Sequence, residues 1–299
     1  MTELEVRRPK FDFTEAVPWN WNPSNPAFSL SMNATSMIAI CFEQLLVAAV
    51  QEAKPLITDE AVSDEATAFL RQEAQHSSSH RKHVNALIKG YPGLQQTFDE
   101  ATAIYDDLTA TTPLEFRLAY IADTEATFTP AFKLMLDNEA TLFQPGDDRV
   151  ASLFLWHFVE EVEHRSSALT IYDAVVGKPW YRVRTLPAIF KHLLKVTAVI
   201  ADGINKHVPE EDRKVDARIM LPAFGMRDSL QRRLRPGAAP IIPAFASVPR
   251  RQKLTAVARV LLSQTPFHDP EPQPLPEFAD EWFARWDHGS DVTRWYAAN

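Results

Sequence analysis

The sequence predicts an all-α fold: a four-helix bundle followed by a mostly helical, proline-rich C-terminal extension. Three observations lead there. Four long stretches between Ser29 and Gly177 carry apolar residues at helical spacing. No run alternates apolar and polar residues in the manner of a strand. The 22 prolines gather in the first 26 residues and from Pro179 onward, so the middle holds fewer of the residues that end helices.

The first helix is expected from about Ser29 to Lys54, with Ile40, Leu46, Val47 and Val50 on one face and Pro55 after it. The second runs from about Thr58 to Lys89, with Asp59 in its first turn and Gly90 as its C-cap. The third opens at Thr112-Pro113 and carries Leu114, Leu118, Ile121, Phe128, Phe132 and Met135. The fourth spans about Asp147 to Val176, with Leu153, Phe154, Ala168 and Ile171 facing inward and Gly177 beyond its end. Helices are also expected over Thr185–His207 and Arg250–Ser263, and Trp282, Trp286 and Trp295 are expected to anchor the tail. This divides the chain into an extended segment over 1–28, a bundle over 29–177 and an extension over 178–299.

Composition narrows the function. Hydrophobic residues make up 45% and charged residues 23%, an ordinary globular balance. The net charge of −8 argues against nonspecific nucleic-acid binding. A single cysteine, Cys41, excludes an intrachain disulfide and a cysteine-based zinc site, and reads as a small buried hydrophobe. No membrane span and no secretory leader are expected, which points to a cytoplasmic protein. Charge is uneven: residues 1–177 hold 12 Lys and Arg against 26 Asp and Glu, whereas residues 178–299 hold 19 against 13. The run Arg227–Arg235 concentrates basic residues and reads as a solvated face, with pairing to the acidic half, recognition of an anionic substrate or contact with an acidic carrier partner as alternatives.

Polar residues interrupt the apolar stripes at particular places. Glu73, His76 and His80 follow Phe69 on the second helix, and His157, Glu161 and His164 follow Phe154 on the fourth. Glu43 sits between Ile40 and Val47, and Glu125 between Ile121 and Phe128. Positions i, i+3, i+4 and i+7 share one side of a helix, so all four helices point carboxylates or imidazoles inward. No Lys or Arg lies on those stripes to neutralise them, and buried carboxylates require a counter-charge, a proton or a metal. Four carboxylates balance two divalent cations, and Glu-x-x-His on two helices with a Glu on each of two others is a dimetal ligand set. Glu43, Glu73, His76, Glu125, Glu161 and His164 are therefore the candidate ligands, with Glu73 and Glu161 bridging. His157, His80 and Glu160 are candidates for an extra ligand or an outer contact. His83 is expected off the face, Glu163 at the surface or in an outer contact, and His192, His207, His268 and His288 in structural roles.

The doubled pattern resembles the ferritin-like di-iron carboxylate superfamily, whose motif is a Glu followed after about 28–37 residues by Asp/Glu-Glu-x-x-His, given twice. Here Glu43 precedes Glu73 by 30 residues, and Glu125 precedes Glu161 by 36. The resemblance covers roughly residues 35–175. Gln72 departs from it, standing where a carboxylate usually supports a histidine. The stretches 71–76 and 156–165 also resemble a bacterial family named as predicted metal-dependent hydrolases. His157-x-x-x-Glu161-x-x-His164 is similar to the fourth helix of di-iron arylamine N-oxygenases, which implies His157 as an additional nitrogen ligand.

Mixed carboxylate and imidazole donors suit two iron ions, with manganese or zinc as alternatives. The expected function is activation of O2 to oxidise a small organic substrate, which requires an external electron donor. The alternative is hydrolysis by water activated at the two metals, and a further one is a ferroxidase or iron-binding protein. A homodimer is admitted as the assembly.

Overall fold

Asn25 accepts a hydrogen bond from the Phe28 amide and Pro26 occupies the first helical turn, so helix α1 (Pro26–Ala53) starts three residues before the expected Ser29. This is a computed structural model, and it describes residues 4–221 and 242–297. The Arg227–Arg235 run lies outside the described residues. Among those residues there is no β-strand, and the fold is all-α.

Helix α1 is long and apolar enough to cross a membrane by length and composition, contrary to the reading of the sequence. Its apolar window is 72% buried inside the protein, so it serves as a core helix. Asp59 caps α2 (Glu60–Gly90) by accepting from the Ala61 and Val62 amides. Gly90 is the last helical residue rather than the cap, because the Tyr91 amide closes the final turn on the Leu87 carbonyl. A tight turn then enters α3 (Leu94–Thr111), a helix not anticipated, which buries Leu94, Phe98, Ala101, Tyr105 and Leu108.

Helix α4 (Leu114–Leu136) follows Pro113 as expected, and a short α5 (Glu139–Leu142) leads to α6 (Asp148–Glu163). Asp147 caps α6 by accepting from the Arg149 amide. The continuous fourth helix to Val176 is broken: α6 ends at Glu163, His164 is its C-cap, and α7 (Ser167–Val175) restarts beyond. Arg165 stabilises the break, donating to the Val162 carbonyl at 2.9 Å and to the Pro270 and Glu271 carbonyls of the tail.

Helix α8 (Pro179–His207) starts six residues earlier than expected, with Pro179 at its first position. A short α9 (Glu210–Arg213) follows, then α10 (Arg250–Ser263), which spans the expected residues, and α11 (Glu277–Asp287). The N-terminal segment buries Phe11, Phe13, Trp19 and Trp21 against the helices. Its Trp21 carbonyl accepts the Asp147 amide, while the Trp295 amide donates to Ser152 on α6. Trp282 and Trp295 are buried, so both ends of the chain cover α6.

Candidate metal centre

Helices α1, α2, α4 and α6 converge on one buried polar cluster. It holds Glu43 from α1, Glu73, His76 and His80 from α2, Glu125 from α4, and His157, Glu160, Glu161 and His164 from α6 and its cap. None of the nine is more than 3% exposed. Four triads have potential ligand atoms within 4.8 Å of one another: Glu43–Glu73–His76, His76–His157–Glu161, Glu73–Glu161–His164 and Glu43–His80–His157. Glu43, Glu73, His76, His157 and Glu161 each belong to two of them. Glu125 approaches the same space, with Oε2 3.8 Å from His164 Nε2.

Six of the candidate ligand atoms lack a hydrogen bond within the chain. Both oxygens of Glu43, both of Glu73, Oε1 of Glu125 and Nδ1 of His76 are buried without a hydrogen bond. Orphaned buried polar atoms are rare because each retains its desolvation cost, and their convergence here fits a cation set among them. Burial first, then the carboxylates around them, hold Glu43 and Glu125 well above the usual carboxylate range, and Glu73 is raised in the same way. Burial also pushes Glu161 up, but His164 and His157 outweigh it and hold this carboxylate well below its ordinary value. Burial pulls His76 down, yet its hydrogen bond to Glu160 and the nearby Glu73 carboxylate raise it well above a free imidazole. Divalent cations would supply the positive charge that the chain otherwise draws from protons.

The outer atoms of the histidines are held crosswise. His76 presents Nδ1 to Glu73 and Glu161, at 3.7 and 3.6 Å, and its Nε2 bonds Glu160 Oε2 at 2.9 Å. His164 presents Nε2 to Glu73 and Glu161, both at 3.2 Å, and its Nδ1 bonds Gln72 Oε1 at 3.0 Å. In each Glu-x-x-His pair the residue preceding the glutamate, Gln72 or Glu160, thus orients the histidine of the opposite helix. Gln72 keeps this role with an amide oxygen, and its Nε2 donates to Glu163 and to the Glu5 carbonyl.

Sequence reading missed the counter-charge. Arg7, from the extended N-terminal segment, donates to Glu160 at 3.3 Å and to both oxygens of Glu163 at 2.8 and 3.0 Å. Helical periodicity carries no trace of it, since Arg7 lies on no helix. His83 is fully buried, not off the face: its Nδ1 meets Ser36 Oγ, which also meets His80 Nδ1, both at 2.9 Å. His80 Nε2 continues to His157 Nδ1 at 2.7 Å, and His157 Nε2 reaches Glu161 Oε1 at 2.8 Å. Ser36 is the second residue the sequence did not flag; it falls seven positions before Glu43, on the same side of α1.

Aromatic rings enclose the cluster. Phe69 meets His164, Trp156 meets His76 and Phe154 meets His80, with ring centroids 4.8, 4.9 and 5.2 Å apart. A groove of about 420 Å³ between α1 and α2 reaches Glu43, with Val47, Ala74 and Ser77 on its walls and Arg81 beside them. Cys41 is buried next to this region, and burial pushes its thiol up to about 11, which leaves it inert. Glu115 lies away from the cluster, paired with Lys178.

No curated protein and no solved structure matches the chain. The family model described as predicted metal-dependent hydrolase matches residues 5–245, which include every residue of the cluster and Arg7 beside it, and the chain belongs to that family.

Proposed function

We propose that this chain is a hydrolase working through two divalent cations held in the buried cluster. The observation that carries the reading is the convergence of six orphaned carboxylate and imidazole atoms from α1, α2 and α4 beside Glu161 and His164. Glu43, Glu73, His76, Glu125, His157, Glu161 and His164 would hold the two cations between them. Bound there, the cations lower the pKa of a water and polarise the bond it attacks. The chain's own groups prepare the place. Glu160, fixed by Arg7, and Gln72 hold the two Glu-x-x-His imidazoles with one nitrogen facing the carboxylates. His80 and Ser36 hold His157 with Nε2 toward Glu161. The α1–α2 groove gives a substrate its route to the Glu43 side, while the aromatic walls exclude bulk water elsewhere.

A second reading, O2-dependent oxidation of a small organic substrate with external electrons, is favoured by the donor set. Four carboxylates with imidazoles suit iron as well as zinc or manganese.

Metal analysis of protein purified without chelator, joined to turnover of ester and phosphoester reporters, separates the two. About two zinc or manganese ions per chain with metal-dependent hydrolysis supports the first reading. Two irons that oxidise on exposure to O2, without hydrolysis, overturn it in favour of the second. Glu73→Ala and His164→Ala should each lose at least one equivalent, whereas Glu163→Ala should keep both. Full metal content in all three variants refutes the ligand set.

A further inference from the structure

Helix α10 is amphipathic in the inverted sense. It rests on α4 through Ala256 and Ser263, its two buried residues, while its larger apolar side chains face away. At about 100° per residue, Leu254, Val257, Ala258 and Leu261 fall within about 100° of arc, on the side opposite Ala256 and Ser263. Leu254 is 59% exposed and Leu261 69%. Leu262 and, just past the helix, Phe267 extend the exposed surface. The Phe267 ring meets exposed Trp180, at the start of α8, with centroids 6.3 Å apart. A solvent-facing stripe of this kind requires a partner or an interface.

Charge identifies which. Helix α10 carries Arg250, Arg251, Lys253 and Arg259 and no acidic residue, in a chain whose net charge is −8. Lys253 borders the stripe on one side and Arg251 on the other, and Arg250 falls within its arc at the N-terminal end of the helix. Between α10 and α4 lies a cleft of about 390 Å³ lined by Arg251, Arg259 and Lys133, where Asp137 pairs with Lys133 at 3.0 Å. The first residues of α8 add exposed Arg184 beside Trp180, and α8 holds no acid before Asp202. A second copy of the chain packed on this face would set four cations against four, an arrangement that like-charge repulsion opposes. Apolar side chains flanked by cations, with Trp and Phe at one end, match the surface of an anionic bilayer.

We propose that the face formed by α10, Trp180 and Phe267 docks peripherally on an anionic lipid bilayer. The stripe enters the interface, and Arg250 and Arg251 meet lipid phosphates.

Sedimentation of the full chain with vesicles tests this. Binding is expected to phosphatidylcholine–phosphatidylglycerol vesicles, weakening with salt, and not to phosphatidylcholine alone. Each basic residue near an anionic surface contributes about fivefold in partitioning, so Arg250→Gln/Arg251→Gln should bind about 25-fold more weakly. Leu254→Ser/Leu261→Ser should lose at least about tenfold, because two apolar side chains leave the interface. Lys89→Gln, exposed at the end of α2, should bind like the parent chain. All four positions altered on α10 are exposed, so unchanged helical content and melting show that the variants fold. Absence of binding to both vesicle types, or equal binding to both, overturns the proposal. So does a concentration-dependent dimer that Leu254→Ser/Leu261→Ser abolishes in a chain that ignores vesicles.

Discussion

Arg7→Ala isolates the contribution of the N-terminal segment to the buried cluster. Arg7 makes four contacts with three carboxylates; its pair with Glu5 is solvent-exposed, and the other two partners differ in surroundings. The Glu163 side chain is 16% exposed and can turn toward water, whereas Glu160 is fully buried and also holds His76. Removing one member of a buried ion pair costs about 3–5 kcal/mol because the survivor keeps its desolvation penalty. The partial exposure of Glu163 places the electrostatic loss near the lower end, at about 3 kcal/mol. The guanidinium also lies 4.6 Å from the Phe283 ring centroid, a contact that adds about 0.5–1 kcal/mol. The total, about 3–4 kcal/mol, corresponds to a fall of about 5–6 °C in melting temperature for a chain of 299 residues. Thermal unfolding followed by circular dichroism measures it. Arg7→Lys should recover part of the loss, since it restores the charge without the two-pronged geometry. Adding Glu160→Gln to Arg7→Ala should raise stability above that of Arg7→Ala alone, because it removes the unpaired charge. If Arg7→Ala melts within about 2 °C of the parent, or the added Glu160→Gln lowers stability further, the reasoning fails.

Two further outcomes follow from other parts of the molecule. Burial holds His83 at about 3, below the ordinary value of about 6.5, so the folded chain keeps it neutral where the unfolded chain binds a proton. The stability from this neutral residue is fully present above about pH 6.5 and is lost as pH falls toward 3, at about 1.4 kcal/mol per pH unit. His83→Asn should therefore lose about 2 kcal/mol less between pH 7 and pH 5 than the parent, read from urea unfolding at each pH; equal losses refute it. At Gly203, α8 approaches α3 so closely that a Cβ would overlap Oγ1 and Cγ2 of Thr97. Gly203→Ala should cost about 1–2 kcal/mol despite the better helix propensity of alanine, and Thr97→Ala should restore most of it.

How far the site was legible follows from the range of each signal. Glu73 and His76 are three residues apart on one helix, as are Glu161 and His164, so periodicity alone places each pair on one face. Glu43 and Glu125 were legible as single carboxylates interrupting apolar stripes. His83 was misread because its partner, Ser36, comes from another helix and no spacing within α2 reports it. Helix α3 escaped notice although Leu94, Phe98, Ala101, Tyr105 and Leu108 recur at steps of three and four, since only burial against neighbouring helices separates it from a long polar connection.

By itself the sequence determined the all-α class and the inward face of the two Glu-x-x-His pairs, because these depend on residues within a turn or two of each other. Tertiary structure alone decided the rest. It brought Arg7 to Glu160 across 153 positions and let Gln72 replace a carboxylate in holding His164. It also broke the fourth helix at His164, where Arg165 bonds the carbonyls of the returning tail. It left the apolar side of α10 facing outward, although its pattern alone reads as a helix that packs inward. Each of these depends on which surfaces meet when the chain closes, and a desolvated polar atom takes whatever partner that closure delivers, however distant in sequence.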